Sequence, residues 1–284
     1  MAKIVNDTEL IFDESDVKKD GSLSVEVFGN DYDYTKRRRI TKVVLPDSVT
    51  EIGFRAFKGC SSLKEINIPD SVTKIGDKAF YDCRSLQKIN IPDGVNEIGE
   101  DAFQYCESLQ EINIPNSVTE IGVGSFSGCK SLQEIHIPDS VVEIGDCAFE
   151  NCESLQKINI PDGVNEIGYG AFQWCESLEE INIPDSVSRI GCDAFADCTS
   201  IQSIQYKGQD ITSLIKKYDS KQFGLIKFLN DNGLPLTDDM LGNAVEAKKE
   251  DRLKGFLVKT KKCLSDREIP DISDNQDCND FQFD

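Results

Sequence analysis

The chain has 284 residues and a formal net charge of -20, from 31 basic and 51 acidic side chains. That excess opposes non-specific binding to nucleic acid or anionic membrane, both of which reward basic patches. Hydrophobic residues at 39% and charged residues at 29% fit a packed soluble protein, while one His and two Met leave little material for His-based catalysis or a His-rich metal site. No apolar run approaches the roughly 18 residues of a membrane helix, and the first residues lack a basic stretch followed by an apolar one. Eleven cysteines without an export signal point to a reducing, cytoplasmic location.

Charge is partitioned along the chain. Residues 1–40 carry 9 acidic and 7 basic groups, and residues 41–206 carry 27 and 11. Residues 207–264 carry 8 and 12, and the last twenty carry 7 and 1. Four segments are expected, in chain order. Residues 1–45 form an N-terminal β cap with strands over Glu9–Phe12 and Leu23–Phe28. In it, the run Lys36-Arg37-Arg38-Arg39 reads as a solvated edge rather than a nuclear-import patch. Asn6-Asp7-Thr8 matches a glycosylation sequon by chance.

Residues 46–206 are seven units of 23. Pro recurs from Pro46 to Pro184, Gly from Gly53 to Gly191, Phe from Phe57 to Phe195 and Cys from Cys60 to Cys198, all in one register. Such self-similarity is the signature of a solenoid. In the run Leu63-Lys-Glu-Ile66-Asn-Ile68, strand alternation points Leu63, Ile66 and Ile68 inward and Lys64, Glu65 and Asn67 outward. Pro69 ends the strand and Pro-Asp-Ser or Pro-Asp-Gly turns the chain. Ala79-Phe80 to Leu86 reads as one tight helical or 3₁₀ turn. Eight inward columns cannot offset the entropy of twenty-three ordered residues in an isolated unit, so neighbouring units must stack.

Residues 207–264 read as a helical C-terminal cap or small helical module, with helices over Asp210–Tyr218, Phe223–Leu229 and Met240–Leu257. Residues 265–284 read as an acidic flexible tail.

The repeat text LPDSVTEIGFRAFKGCSSLKEINIPDSV resembles the BspA-like subclass of leucine-rich repeats over residues 40–206. The resemblance implies an α/β repeat solenoid: a leucine-rich repeat horseshoe with a short-strand parallel sheet, an N-terminal β cap and a helical C-terminal cap. It also implies either a non-enzymatic protein-interaction scaffold or a surface antigen or adhesin contacting host proteins, reaching the cell surface by a non-standard route. Residues 223–258 faintly resemble an ankyrin-type helix pair; the cap reading is preferred.

The functional candidates are few. The Cys column, next to Phe and Leu and without a C-x-x-C, reads as small buried filler rather than redox or metal chemistry. The Asp column of the turns (Asp47, Asp70, Asp93, Asp139, Asp162, Asp185) reads as turn-forming rather than calcium-binding. No cofactor, metal or catalytic set is expected. His136 substitutes in the Asn column of the expected concave strands, beside Asn113 and Asn159. The outward strand positions, including Glu111, Glu134 and Glu180, give 21 residues, enough for one side of a protein interface of roughly 20–30 residues. The acidic array favours another protein with a basic surface, with no nucleic acid, no membrane insertion and no implied oligomeric state. Tyr105 and Trp174, 69 residues apart in two near-identical blocks, are a second candidate surface.

Overall fold

The structure is a computed structural model that describes residues 3–5, 8–23, 34–191, 193–206 and 209–212. The 23-residue unit closes one turn of a coil, and the turns stack in register. Each turn has three stretches of backbone that bond to the turns on either side. The first ladder is parallel and runs through Lys42–Val44, Glu65–Ile66, Lys88–Asn90, Glu111–Asn113, Glu134–His136, Lys157–Asn159, Glu180–Ile183 and Ser203–Tyr206. Its register holds the repeat offset, with Lys88 opposite Glu111 and Ile158 opposite Ile181. The strands stay at two to four residues because the Pro that follows has no N–H to continue the ladder.

Proline then starts a tight turn, closed by the Val72 N–H on the Pro69 carbonyl at 3.0 Å and by the same bond in the other units. The chain enters a second parallel ladder of two-residue strands, in two sheets: Glu51–Ile52, Lys74–Ile75 and Glu97–Ile98, then Glu120–Ile121, Glu143–Ile144, Glu166–Ile167 and Arg189–Ile190. In four units a serine fastens this turn to the one before. Ser71 and Ser140 donate to the Val49 and Val118 carbonyls at 2.6 Å, and Ser117 and Ser186 make the same bond to Val95 and Val164.

The third stretch differs from the expected helical turn. At Lys78 and Asp82 the backbone is left-handed, with φ of 56° and 62°, and the same two columns are left-handed in every unit where both are described. A residue in that region breaks a right-handed helix. The donors therefore alternate. Ala79, Tyr81 and Cys83 N–H bond back three residues, whereas Lys78, Phe80 and Asp82 N–H reach the Glu100, Ala102 and Gln104 carbonyls of the next unit at 2.8 Å. A helix would have consumed all of these groups locally; the alternation leaves half of them to stack. The array's described residues thus hold strands and turns and no helix, so the fold is a parallel β-solenoid rather than the α/β horseshoe implied above.

The eight inward columns are buried from end to end. Phe57, Phe80, Phe103, Phe126, Phe149, Phe172 and Phe195 form one stack with ring centroids 5.3–5.6 Å apart. The Ala column admits one polar residue, Ser125, which donates to the Gly122 carbonyl at 2.7 Å.

Before the array, Glu9–Ile11 extends the first ladder in parallel beside Lys42–Val44, and Lys3–Val5 pairs antiparallel to it. Phe12 sets its ring edge-on to Phe57 at 6.3 Å. Arg37, at the end of a short helix over Tyr34–Arg37, corrects the reading of its basic run as a solvated edge. Its neighbours Arg38 and Arg39 are exposed, but Arg37 is 2% exposed. Its guanidinium donates to the carbonyls of Lys58 at 3.1 Å, Ala56 at 3.2 Å and Arg55 at 3.4 Å. In later units the carbonyls equivalent to Ala56 and Lys58 receive backbone N–H groups from the preceding turn. The first turn has no such predecessor, and Arg37 supplies the donors.

After the array, Gln209–Asp210 pairs antiparallel to Ser203–Tyr206, with Tyr206 and Ile211 buried. Asp210 is therefore a strand residue; its carboxylate accepts from the Thr212 hydroxyl and from the Thr212 N–H at 2.9 Å, and these bonds, the hydroxyl's first, hold it below the usual carboxylate range. The expected strand over Leu23–Phe28 lies outside the described residues beyond Leu23, as do the helices over Phe223–Leu229 and Met240–Leu257, most of Asp210–Tyr218, and the acidic tail. Among the described residues no helix is long and apolar enough to cross a membrane.

Candidate interaction surface

Because each column repeats every turn, a side chain on the surface meets its counterparts one turn away. On the first ladder, Asn113, His136 and Asn159 lie side by side in register, as do Glu111, Glu134, Lys157 and Glu180. The structure therefore gathers six of the sequence candidates on one face. That face also carries bases of its own. Lys88 donates to Glu111, and Lys157 sits between Glu134 and Glu180. Across the six strands from residue 64 to residue 182, three lysines stand against five glutamates in the outward columns. The array's excess of acid is placed elsewhere.

The same cross-turn pairing recurs on the other sides. Lys74 meets Glu97 at 2.8 Å, Lys78 meets Asp101 at 3.3 Å, Lys130 meets Glu153 at 2.7 Å, and Arg189 pairs with Glu166. Arg84 bonds Asp82 at 2.6 Å and Glu107 at 3.4 Å. These pairs are solvent-exposed, so each contributes at most about 1 kcal/mol. They hold Lys74, Lys130 and Arg84 above their ordinary pKa, through the bonds to Glu97, Glu153 and Asp82 respectively.

Tyr105 and Trp174 lie on the third, left-handed stretch, away from the first-ladder candidates. Their column reads Gly59, Asp82, Tyr105, Gly128, Asn151, Trp174 and Asp197, with φ between 58° and 76° throughout. Gly, Asn and Asp tolerate that region; a large aromatic there costs about 1–2 kcal/mol. The two rings are 37% and 41% exposed. Tyr105 stands edge-on to Tyr81 at 5.5 Å, and the Lys58 ammonium lies 4.6 Å over Tyr81. Nearby, the Arg55 guanidinium lies 4.5 Å over the exposed ring of Phe54.

The sequence reading overlooked Tyr169, which is 43% exposed and on the same stretch as Trp174. The signal was available in the column after the repeated Gly, which holds Phe54, Asp77, Glu100, Val123, Asp146 and Tyr169. Asp146 reaches one turn onward to accept from the Tyr169 N–H at 2.6 Å.

The Cys column is buried, as its neighbours imply, but it does more than fill space. Each thiol from Cys83 to Cys198 donates to the carbonyl of the preceding unit's Phe at 3.0–3.3 Å, Cys83 to Phe57 for example. Burial pushes the thiols of Cys60, Cys83, Cys106, Cys129, Cys152 and Cys175 up, Cys60 and Cys129 to about 12. Half-buried Cys147 is also pushed up to about 12, first by burial and then by Glu150 and Asp146.

The repeat pattern that builds these faces matches the family described as BspA type leucine-rich repeat region, in six copies over residues 30–141 and 121–223. The chain belongs to this family. Members of known structure share the coil. A leucine-rich repeat protein from Treponema pallidum is 33% identical, with a TM-score of 0.56, over 71% of this chain and 87% of that one. A leucine-rich repeat protein from Bacteroides ovatus is 31% identical, with a TM-score of 0.54, over 71% of this chain and 58% of its own. One from Eubacterium ventriosum is 29% identical, with a TM-score of 0.54, over 63% of this chain and 47% of its own. This chain thus spans about half of the last two proteins. No curated protein matches it.

Proposed function

We propose that this BspA-type repeat protein is a non-enzymatic scaffold that binds another protein through the surface of its coil. The carrying observation is the division of the repeat into invariant and variable columns. The inward columns hold nearly the same residue in every turn and close a dry core. The outward columns are nearly uniform on the first ladder but change on the third stretch, through Gly59, Asp82, Tyr105, Gly128, Asn151, Trp174 and Asp197, on a backbone whose hydrogen bonds run between turns, so these distinct side chains are displayed at fixed spacing. A rigid display loses little freedom when it binds, which favours affinity without new chemistry. Polar first-ladder side chains such as Gln110, Gln133 and Gln156 supply complementarity rather than strong anchors.

The test uses the full chain. It is immobilised, and cell extract from the source organism is passed over it. A partner that the reading supports is a protein retained in saturable amounts, displaced by free full-length chain, and recovered as a defined complex when both are purified. Release of a chemically converted product, with no stoichiometric protein partner, would overturn the reading.

A further inference from the structure

Two rings on the third stretch of the early turns are served by the chain's own cations: exposed Phe54 by Arg55 at 4.5 Å and half-buried Tyr81 by Lys58 at 4.6 Å, while exposed Tyr105 stands edge-on to Tyr81. In the later turns Tyr169 and Trp174 are exposed on segments with no cation of their own. Residues 146–153, 169–176 and 193–199 contain six carboxylates (Asp146, Glu150, Glu153, Glu176, Asp193 and Asp197) and no Lys or Arg. The corresponding segments of the first four turns, 54–61, 77–84, 100–107 and 123–130, carry five bases and five acids. Acid and aromatic surface are therefore concentrated together at one end of one side.

We propose that the side of the coil carrying Tyr169 and Trp174 is the docking face for an extended Arg- or Lys-rich segment of another protein. This rests on the scaffold reading above and names its face and partner. A guanidinium or ammonium within about 6 Å of a ring face is attracted by the ring's quadrupole, and more so when carboxylates flank the ring. The early turns show this chain building that contact for itself. The later turns present the rings beside carboxylates, of which Glu153 is paired with Lys130 of the turn before. The Tyr169 hydroxyl is pushed up first by burial and then by Asp193, Cys147, Glu150 and Asp146. Asp146 also lies against its backbone at 2.6 Å. Stacked turns are about 5 Å apart, so three turns are matched by four or five residues of extended chain at about 3.3 Å each. Cations on alternate residues of such a segment, about 6.6 Å apart, would reach neighbouring turns through their long side chains.

Trp174 is the sole Trp of the chain, so its emission reports on this face alone. The full chain is titrated with a dodecapeptide alternating Arg and Gly, and followed by Trp emission and by anisotropy of a labelled peptide. A saturable change in emission is expected, weakened by added salt and absent with a Glu-Gly peptide. Tyr169→Ser with Trp174→Ser should weaken binding about tenfold by anisotropy, and Glu150→Gln with Glu176→Gln and Asp197→Asn should do the same. Glu111→Gln with Glu134→Gln and Glu180→Gln, on the first ladder, should leave it within about twofold. Melting curves of each variant establish that it is folded. Loss of binding on the first-ladder change and not on the other two would overturn the proposal. So would binding that appears only after Lys248, Lys249, Arg252 and Lys254 are changed to Gln, since the chain's own segment would then be the occupant. A natural partner that is retained by the coil and indifferent to both third-stretch variants would overturn this face while leaving the scaffold reading intact.

Discussion

Replacing Arg37 by Met keeps the aliphatic stem and removes the guanidinium from the open edge of the first turn. Two of its three bonds, to Lys58 at 3.1 Å and Ala56 at 3.2 Å, have good length, and the third, to Arg55 at 3.4 Å, is weak. A buried acceptor left without a donor costs about 1–3 kcal/mol, and hydrogen bonds from charged donors contribute about 1.5–3 kcal/mol each. Relief from burying a charge returns part of this. Counting the two good bonds, Arg37→Met should lower stability by about 2–4 kcal/mol. Arg38→Met and Arg39→Met, one and two residues on and exposed, should stay within about 0.5 kcal/mol of the parent. Urea unfolding measures the totals, and amide hydrogen exchange locates the effect. Faster exchange should appear first at the Phe57 and Gly59 amides, in the turn that Arg37 closes. If Arg37→Met and Arg38→Met unfold at the same urea concentration, the argument that the guanidinium substitutes for a missing turn is wrong.

Three further outcomes follow from the stacked columns. Phe126→Ala removes a fully buried ring between Phe103 and Phe149 and should cost about 3–5 kcal/mol, whereas Lys130→Ala at the surface should cost under about 1 kcal/mol; equal melting temperatures would contradict the stack. Gly94 occupies the column of Ser71 and Ser117, and a Cβ there meets the Asp70 and Val72 carbonyls at 3.5 Å, so Gly94→Ser gains a bond to Val72 and sheds glycine's entropy; a gain of about 1 kcal/mol in thermal or urea unfolding is expected, and a loss would show that the column has no room. The buried thiols have folded pKa values raised above the unfolded value near 8.5, so their contribution is complete below that pH and is lost as pH rises toward the folded value. Stability should therefore fall above about pH 9, by up to about 1.4 kcal/mol per pH unit for each column thiol, and a melting temperature unchanged between pH 8 and pH 10 would contradict the protonated, carbonyl-bonded state of the column.

The repeat made the core legible, because the inward residue types recur in every turn and only one register buries them all. The first ladder was legible from the alternation at Ile66 and Ile68, and the turn from Pro69. The left-handed stretch was not read, although Gly59, Asp82, Gly128, Asn151 and Asp197 in one column carry its signature. Its second column hid it, since Arg55, Lys78 and Cys147 are ordinary helix-compatible residues that the stacking forces to positive φ. Arg37 was misread because its acceptors lie 18 to 21 residues away, beyond any local pattern. The candidate surface was half legible. Charge counts along the chain gave the acidic array, but only the register shows that Lys88 and Lys157 stand in the Glu111, Glu134 and Glu180 column, with Lys88 donating to Glu111.

The central claim is that the coil itself, through its outward columns, is the element that holds a partner. Hydroxyl-radical footprinting of the full chain, free and in complex with its captured protein partner, tests this directly. The account predicts protection in the array and above all at Tyr169 and Trp174, with the buried Phe column unchanged. Protection confined to residues 213–284, with both aromatics oxidised as fast in the complex as in the free chain, would contradict it.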